Sequence, residues 1–319
     1  MEPTTVVPPD RYEEALRCLL GRRRSIAAQS VVARLAAAGR LTDGCLRAVL
    51  ARDGTMLAVG LVVVIPGRTA TITLSPPRGR EGQQRCESLL VDSCAAMETW
   101  PVDLAQSLLA VDDSKMLKIY LRSGFTHLAD LRTMTRTARY ARAADSLPTG
   151  VTLRNASDEE LPAILDETYI DSQDCPGLHG LRDPKDIVIG HRAGGRVIPQ
   201  LWQTILLRDT PVGCILLTCG DDSIADLAYV GLTPQARGKG IATAVVAHMM
   251  SRLPEQGMRV LRLAVDANNV AAKRVYRTLG FKHTNTQRAV IRSTRGMQVG
   301  DAPAEDVHMT STPPRSHGG

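Results

Sequence analysis

Arg237, Gly238, Lys239 and Gly240 lie in the run RGKGIA (237–242), between an apolar stretch with strand character (ADLAYVGL, 225–232) and one with helical character (ATAVVAHMMSRL, 242–253). A glycine-rich turn between strand and helix lets backbone N–H groups approach an anion closely, and the helix N-terminus adds a favourable dipole. The chemistry on offer is the cradling of a phosphorylated ligand, with Arg237 and Lys239 adding positive charge. Nucleotide motifs do not fit the spacing. A P-loop needs GxxxxGK followed by Ser or Thr, but Gly240 follows Lys239. A dinucleotide loop needs a third glycine where Thr243 stands. Taken alone, the run also reads as an ordinary tight turn.

A second set of residues follows in NVAAKRVYRTLGF (269–281), after a break at Pro254 and Gly257 and a strand pattern, RVLRLAV (259–265). Ala272 and Tyr276 are four apart and share one helical face, and Gly280 suits the residue just past the helix end. On that face a tyrosine either meets a ligand or sits half-buried in the core with its hydroxyl satisfied.

Together these motifs resemble the GNAT acyltransferase superfamily. Arg237, Gly240 and Ala242 match its R-x-x-G-x-A pyrophosphate loop, and the frame from Gln235 through Gly238 and Gly240 matches Q/R-x-x-G-x-G/A. Asn269, Ala272, Tyr276, Gly280 and Phe281 match N-x-x-A-x-x-x-Y-x-x-x-G-F, and the resemblance covers roughly residues 150–292. It implies acetyl-CoA, or another acyl-CoA, as donor and direct transfer to a primary amine. Carried over by position, the CoA-binding residues are Arg237, Gly238, Lys239, Gly240, Ile241, Ala242, Asn269 and Ala272. The strand end Val230 to Leu232 would pair with pantetheine and offer an N–H to the developing oxyanion, and Tyr276 would be the general acid toward the CoA sulfur. The base is assigned to Asp226, six residues before Leu232, where alternation places it on the face of Ala228, Val230 and Leu232. Asp226 also reads as the start of an exposed strand, and Glu167 or a base acting through water are alternatives.

The elements that position these residues occur twice. The chain has two phenylalanines, Phe125 and Phe281, and they end the phrases YLRSGF and YRTLGF, 156 residues apart. Each is preceded by a strand pair around a polar turn, a third strand, a helix, a strand and a Tyr-bearing helix. The sequence therefore predicts an α/β fold of two tandem GNAT-like units, each a mixed, mostly antiparallel sheet flanked by helices. The units span 1–145 and 150–292, joined near ARAADSLPTGV (141–151), and the Pro/Gly/Ser/Thr-rich tail (293–319) has the composition of a disordered segment. The first copy reads as degenerate: PPRGREGQQ (76–84) lacks the glycine spacing and places Glu81 where phosphates would approach. Asp113 and Met116 replace Asn269 and Ala272, and Tyr120 reads as structural. The tandem layout, with one intact copy, is similar to the mycothiol synthase family, which acts on a sugar-linked cysteine amine, and it implies a small-molecule amine as acceptor.

Acceptor specificity is assigned to ETYIDSQDCPGLHGLRDPKD (167–186), a connection long for two helices that carries Asp171, Asp174, His179, Arg182 and Asp186. The plainer alternative is a capped, solvent-facing connector. No second histidine stands at metal-ligand spacing from His179, and none of the seven cysteines forms a CxxC pair, so reduced thiols and no metal are expected.

At 319 residues, 44% hydrophobic and 23% charged, the chain has globular usage and room for two cores. No apolar run approaches the ~20 residues of a membrane span, and MEPTTVVPPDRYEEAL lacks a signal-peptide pattern, so a cytoplasmic protein is expected. Net charge is +6, but the basic residues are scattered and aromatics are only 3%, which argues against a nucleic-acid partner. A non-catalytic CoA-binding sensor or interaction protein is the alternative function class.

Overall fold

The computed structural model describes residues 3–20, 39, 41–138, 147–220 and 222–294. Most of the expected linker and the tail beyond 294 lie outside them. The first half contributes β1 (Thr4–Val6), α1 (Tyr12–Leu20), β2 (Leu46–Leu50), β3 (Met56–Ile65), β4 (Thr69–Leu74), α2 (Gly79–Met97), β5 (Leu104–Ala110), α3 (Ser114–Arg122) and β6 (Thr126–Thr137). The second contributes β7 (Val151–Asn155), α4 (Leu161–Tyr169), α5 (Pro184–Arg192), β8 (Arg196–Leu207), β9 (Thr210–Cys219), β10 (Ile224–Leu232), α6 (Ile241–Arg252), β11 (Val260–Asp266), α7 (Val270–Thr278) and β12 (Lys282–Ser293). Among the described residues no helix is long and apolar enough to cross a membrane.

One twelve-stranded sheet contains both halves, in the order β1-β2-β3-β4-β5-β12-β6-β11-β10-β9-β8-β7. All pairings are antiparallel except β4 with β5 and β10 with β11. The halves exchange their last strands: β12 pairs with β5 of the first half, and β6 pairs with β11 of the second. The registers obey the sequence repeat. Leu104↔Ser293 becomes Val260↔Thr137 when each half is shifted by the 156-residue offset, and Lys282↔Thr135 likewise becomes Thr126↔Ile291. The sheet is thus pseudo-twofold about the β6–β12 pair. The sequence reading did not foresee the exchange.

Side-chain alternation divides the second half into two cores. On one face Ala225, Leu227 and Leu232 of β10 pack with Val245 and Met249 of α6 and with Tyr276 of α7. On the other, Cys214 and Leu216 of β9 pack with Leu161 and Leu165 of α4 and Ile187 and Val188 of α5, with Tyr229 against them.

Candidate active site

The parallel pair β10 and β11 is joined only through Ile224–Asp226, opposite Val260–Arg262. Beyond that the strands diverge, while β10 stays bonded to β9 as far as Leu232. The edge of β10 that faces β11 therefore carries backbone N–H and C=O groups with no strand beside them, the geometry that accepts another extended amide chain. A cavity of about 330 Å³ lies in the split. Val230 and Leu232 line it from β10, Ala264 and Val265 from β11, and Ala272 and Tyr276 from α7.

The glycine run forms the cavity's upper rim. Gly238 and Gly240 have φ of 74° and 76°, and a Cβ at either would meet nothing within 4 Å. Glycine is needed there for the left-handed backbone, and the turn leaves open space in front of it. No side chain caps α6, whose first internal bond runs from Ala244 N–H to the Gly240 carbonyl at 3.1 Å, so the N–H groups of Ile241 to Thr243 have no partner within the helix. Lys239 is exposed beside them. These residues fit a pyrophosphate: donors, dipole, charge and an unobstructed approach coincide.

Arg237 does something the motif did not indicate. Its Nε donates to the Leu232 carbonyl at 3.0 Å, Nη1 to that of Asp171 at 3.1 Å, and Nη2 to those of Thr168 and Ile170 at 3.0 and 2.6 Å. The guanidinium caps the C-terminal end of α4 and ties it to the end of β10, a favourable place for a cation at a helix terminus. Its side chain positions the acceptor loop, and the sequence assignment of that charge to phosphate is corrected.

Tyr276 is buried, and burial followed by the nearby Asp174 carboxylate pushes its phenol above the ordinary tyrosine range. Asn269 caps α7 by accepting from Ala272 N–H at 3.0 Å and lines the cavity, and its side chain also reaches Asp174. Ala272 is thus explained by its backbone and by its small size at the wall.

Asp226 is not brought into the cavity. A β-bulge between Leu227 and Tyr229 leaves Ala228 unpaired and reverses the alternation after it. Asp226 therefore shares a face with Tyr229 and Gly231, not with Val230 and Leu232, which corrects the sequence expectation. Its carboxylate is gripped by Arg262 through two bonds of 2.6 and 2.8 Å. That pair lies on the acceptor-loop side of the sheet, two residues before Ala264.

The 167–186 connection supplies the carboxyl residues that line the cavity, Asp171 and Asp174. Asp171 to Asp174 line it, and Asp174 accepts from Asp266 N–H at 3.2 Å while Asp266 accepts from Cys175 N–H at 3.3 Å. Burial raises the Asp174 carboxyl above its usual range; the neighbouring Asp266 adds to this, and the bonds from Asp266 N–H and Asn269 offset part of it. The loop was visible in the sequence, but nothing singled out Asp174 within it.

Tyr229 was missed altogether, since an aromatic in a strand reads as core. Its hydroxyl bonds Thr168 Oγ1 at 2.7 Å, and its ring folds across Gly231, where a Cβ would lie 2.5 Å from the phenol oxygen. Tyr169 and His191 pack on it with ring centroids 5.7 Å away. His179 stacks on Tyr169 in turn. Among the described residues no group of three His, Cys, Asp or Glu is placed to hold a metal ion, and all seven cysteines are free.

In the first half the same split is closed. Tyr120 is fully buried and donates to the Ile72 carbonyl at 2.9 Å, and Asp113 caps α3 through Met116 N–H at 2.9 Å, as Asn269 caps α7. Glu81 lies exposed in the first turn of α2, paired with Arg85.

With that geometry in place, residues 165–281 match the sequence model of the acetyltransferase (GNAT) family. The chain carries a GNAT domain. Its fold is that of tandem GNAT proteins: a GCN5-related N-acetyltransferase from Sphaerobacter thermophilus superposes with a TM-score of 0.62 over 92% of this chain and 96% of that one, at 19% identity. A tandem GNAT protein from the clavulanic acid biosynthesis pathway gives 0.51 over 93% and 99%, at 12% identity. Among curated relatives, the mycothiol acetyltransferase of Paenarthrobacter aurescens (strain TC1) is 30% identical over 104 residues, which is 33% of this chain and 29% of that protein. That of Kocuria rhizophila is 25% identical over 260 residues, 73% of this chain and 80% of its own length.

Proposed function

We propose that the chain is an acetyl-CoA-dependent N-acetyltransferase that delivers the acyl group to a primary amine of a small molecule, with donor and acceptor meeting in the second half, residues 150–292. The observation that carries this is the meeting in one cavity of the open β10 edge, the glycine turn before an uncapped helix, and Tyr276. The GNAT domain and the acetyltransferase relatives support it.

Bound acetyl-CoA would supply the thioester. The N–H groups from Gly238 to Thr243 would hold its pyrophosphate, with Lys239 adding charge, and the free edge of β10 from Val230 to Leu232 would pair with its amides. An N–H of that edge would steady negative charge on the acyl oxygen as the amine nitrogen bonds to the acyl carbon. Tyr276 would give its proton to the sulfur as the carbon–sulfur bond breaks. Asp174, the buried one of the two aspartates that line the cavity, would take the proton lost by the amine, since burial raises its carboxyl toward the range a base needs.

The test is thiol release from acetyl-CoA by the full-length protein across a panel of primary amines. Amine-dependent release that falls sharply in Tyr276→Phe supports the reading. Acetyl-CoA binding with no release toward any amine would favour a non-catalytic CoA sensor.

A further inference from the structure

Just before α5 stands Arg182, a cation with no bonded partner among the described residues. Arg182 is largely buried, its Nε has no hydrogen-bond partner, and it forms no ion pair among the described residues. On the last turn of α5, His191 Nε2 is buried and equally unpartnered, with its ring packed on Tyr229. The other basic side chains nearby are engaged: Arg192 bonds Asp158 and lies over the Trp202 ring at 4.6 Å, Arg68 bonds Asp103, and Arg237 is held by carbonyls. The groups that act on Arg182 electrostatically are the Tyr169 phenol and, more weakly, the Asp186 carboxylate. A guanidinium has five donors, and a donor removed from water without an acceptor is destabilising. His191 packs on Tyr229, which lines the cavity, and Arg182 lies within electrostatic reach of His191, so the two unsatisfied nitrogen groups together mark a place for acceptor oxygens.

We propose that the acceptor amine carries an anionic oxygen group, a carboxylate or a phosphate, and that Arg182 and His191 bind it beside Tyr229. This rests on the acetyltransferase reading for the amine and goes beyond it in naming the acceptor's second group. The first half packs on the segment that carries both residues. At Gly67 a Cβ would fall 2.2 Å from the Asp186 carbonyl and 2.8 Å from Gly190 N, so the β3–β4 turn packs backbone to backbone on α5. Leu128 of β6 likewise packs on Gly177, where a Cβ would come within 3.1 Å of it.

The experiment compares α-amino acids with their carboxamides, and phosphoethanolamine with ethanolamine, as acceptors for the full-length protein. One anionic series is expected to exceed its neutral partner at least tenfold in kcat/KM, and which series does so tells carboxylate from phosphate. Arg182→Gln should remove that preference through KM, and Arg182→Lys should restore part of it. Neutral and anionic acceptors used equally, or a preference untouched by Arg182→Gln and His191→Gln, would overturn the proposal. Calorimetric binding of the same compounds in the presence of CoA separates it from catalysis. Binding of an anionic compound that Arg182→Gln abolishes, without acetyl transfer, would remove the acetyltransferase reading and keep the anion site. Absence of binding by every anionic compound would remove the anion site.

Discussion

Tyr120 and Tyr276 stand 156 residues apart at the same place in the two halves, and their hydroxyls have different fates. Tyr120 donates to the Ile72 carbonyl across the gap between β4 and β5, closing it. Tyr276 has no such acceptor among the described residues and faces the cavity between β10 and β11. One repeat therefore uses its tyrosine to seal the split, and the other leaves the split open for a ligand.

Removing the two hydroxyls should have opposite signatures. Tyr276→Phe is expected to keep acetyl-CoA affinity and lower kcat by about a hundredfold or more, the usual range for loss of a general acid. Tyr120→Phe should leave kcat unchanged and cost about 1–3 kcal/mol of stability, because the Ile72 carbonyl is left buried and unbonded. Steady-state kinetics and urea unfolding of both variants check this.

Substitutions at Gly240 separate backbone strain from charge. Any side chain there adopts a positive φ at a cost of about 1–2 kcal/mol, and the space in front is open. Gly240→Ala should weaken acetyl-CoA binding modestly, whereas Gly240→Glu, with the same strain plus a carboxylate facing the phosphates, should abolish it. Equal affinities for the two variants would mean that charge at this turn is irrelevant.

The raised carboxyl of Asp174 has a consequence for stability as well as for activity. Its folded pKa lies above its unfolded value, so its contribution to stability is complete below the ordinary carboxyl range and is lost as pH rises through the folded pKa. Asp174→Asn should therefore match the wild type at acid pH and exceed it in Tm at neutral and alkaline pH, while losing most activity. Should Asp226→Asn lose the activity and Asp174→Asn retain it, the base is Asp226.

His191 works in the reverse direction. Burial, and then the positive charge of Arg182, lowers it from the ordinary histidine value of 6.5 to about 4, so the stability it contributes is present above 6.5 and lost as pH falls toward 4. A drop of that size corresponds to about 3 kcal/mol. Chemical denaturation at the two pH values should show the wild type losing that amount more than His191→Gln.

The strand exchange predicts how the halves behave apart. Residues 147–294 alone would leave β11 without β6 and β12 without both of its partners, β5 and β6, exposing three long unpaired edges. Because β12 repeats the register of β6, a second copy can fill the vacancy, so the fragment is expected to dimerise by swapping β12 or to aggregate. A well-folded monomer in sedimentation would contradict the pairing.

The glycine turn, the Gly280 stop after α7 and the tandem repeat were legible because their signals are local: positive φ, helix spacing and a fixed offset. The face of Asp226 was not, since period-two alternation fails at a bulge that exists only where β10 leaves β11. Arg237 matched its motif, yet its partners Thr168 and Ile170 lie 69 and 67 residues away, and no spacing reveals such contacts. The exchange of β6 and β12 was hidden for a related reason, because either strand would satisfy the same hydrophobic pattern in either half.

The central claim is that the open split of the second half, and not the closed one of the first, holds the acyl donor. Calorimetric titration of the full-length protein with acetyl-CoA tests it most directly. The account predicts one equivalent bound, lost in Gly240→Glu and retained in Tyr120→Phe. Two equivalents, or binding that survives Gly240→Glu, would contradict it.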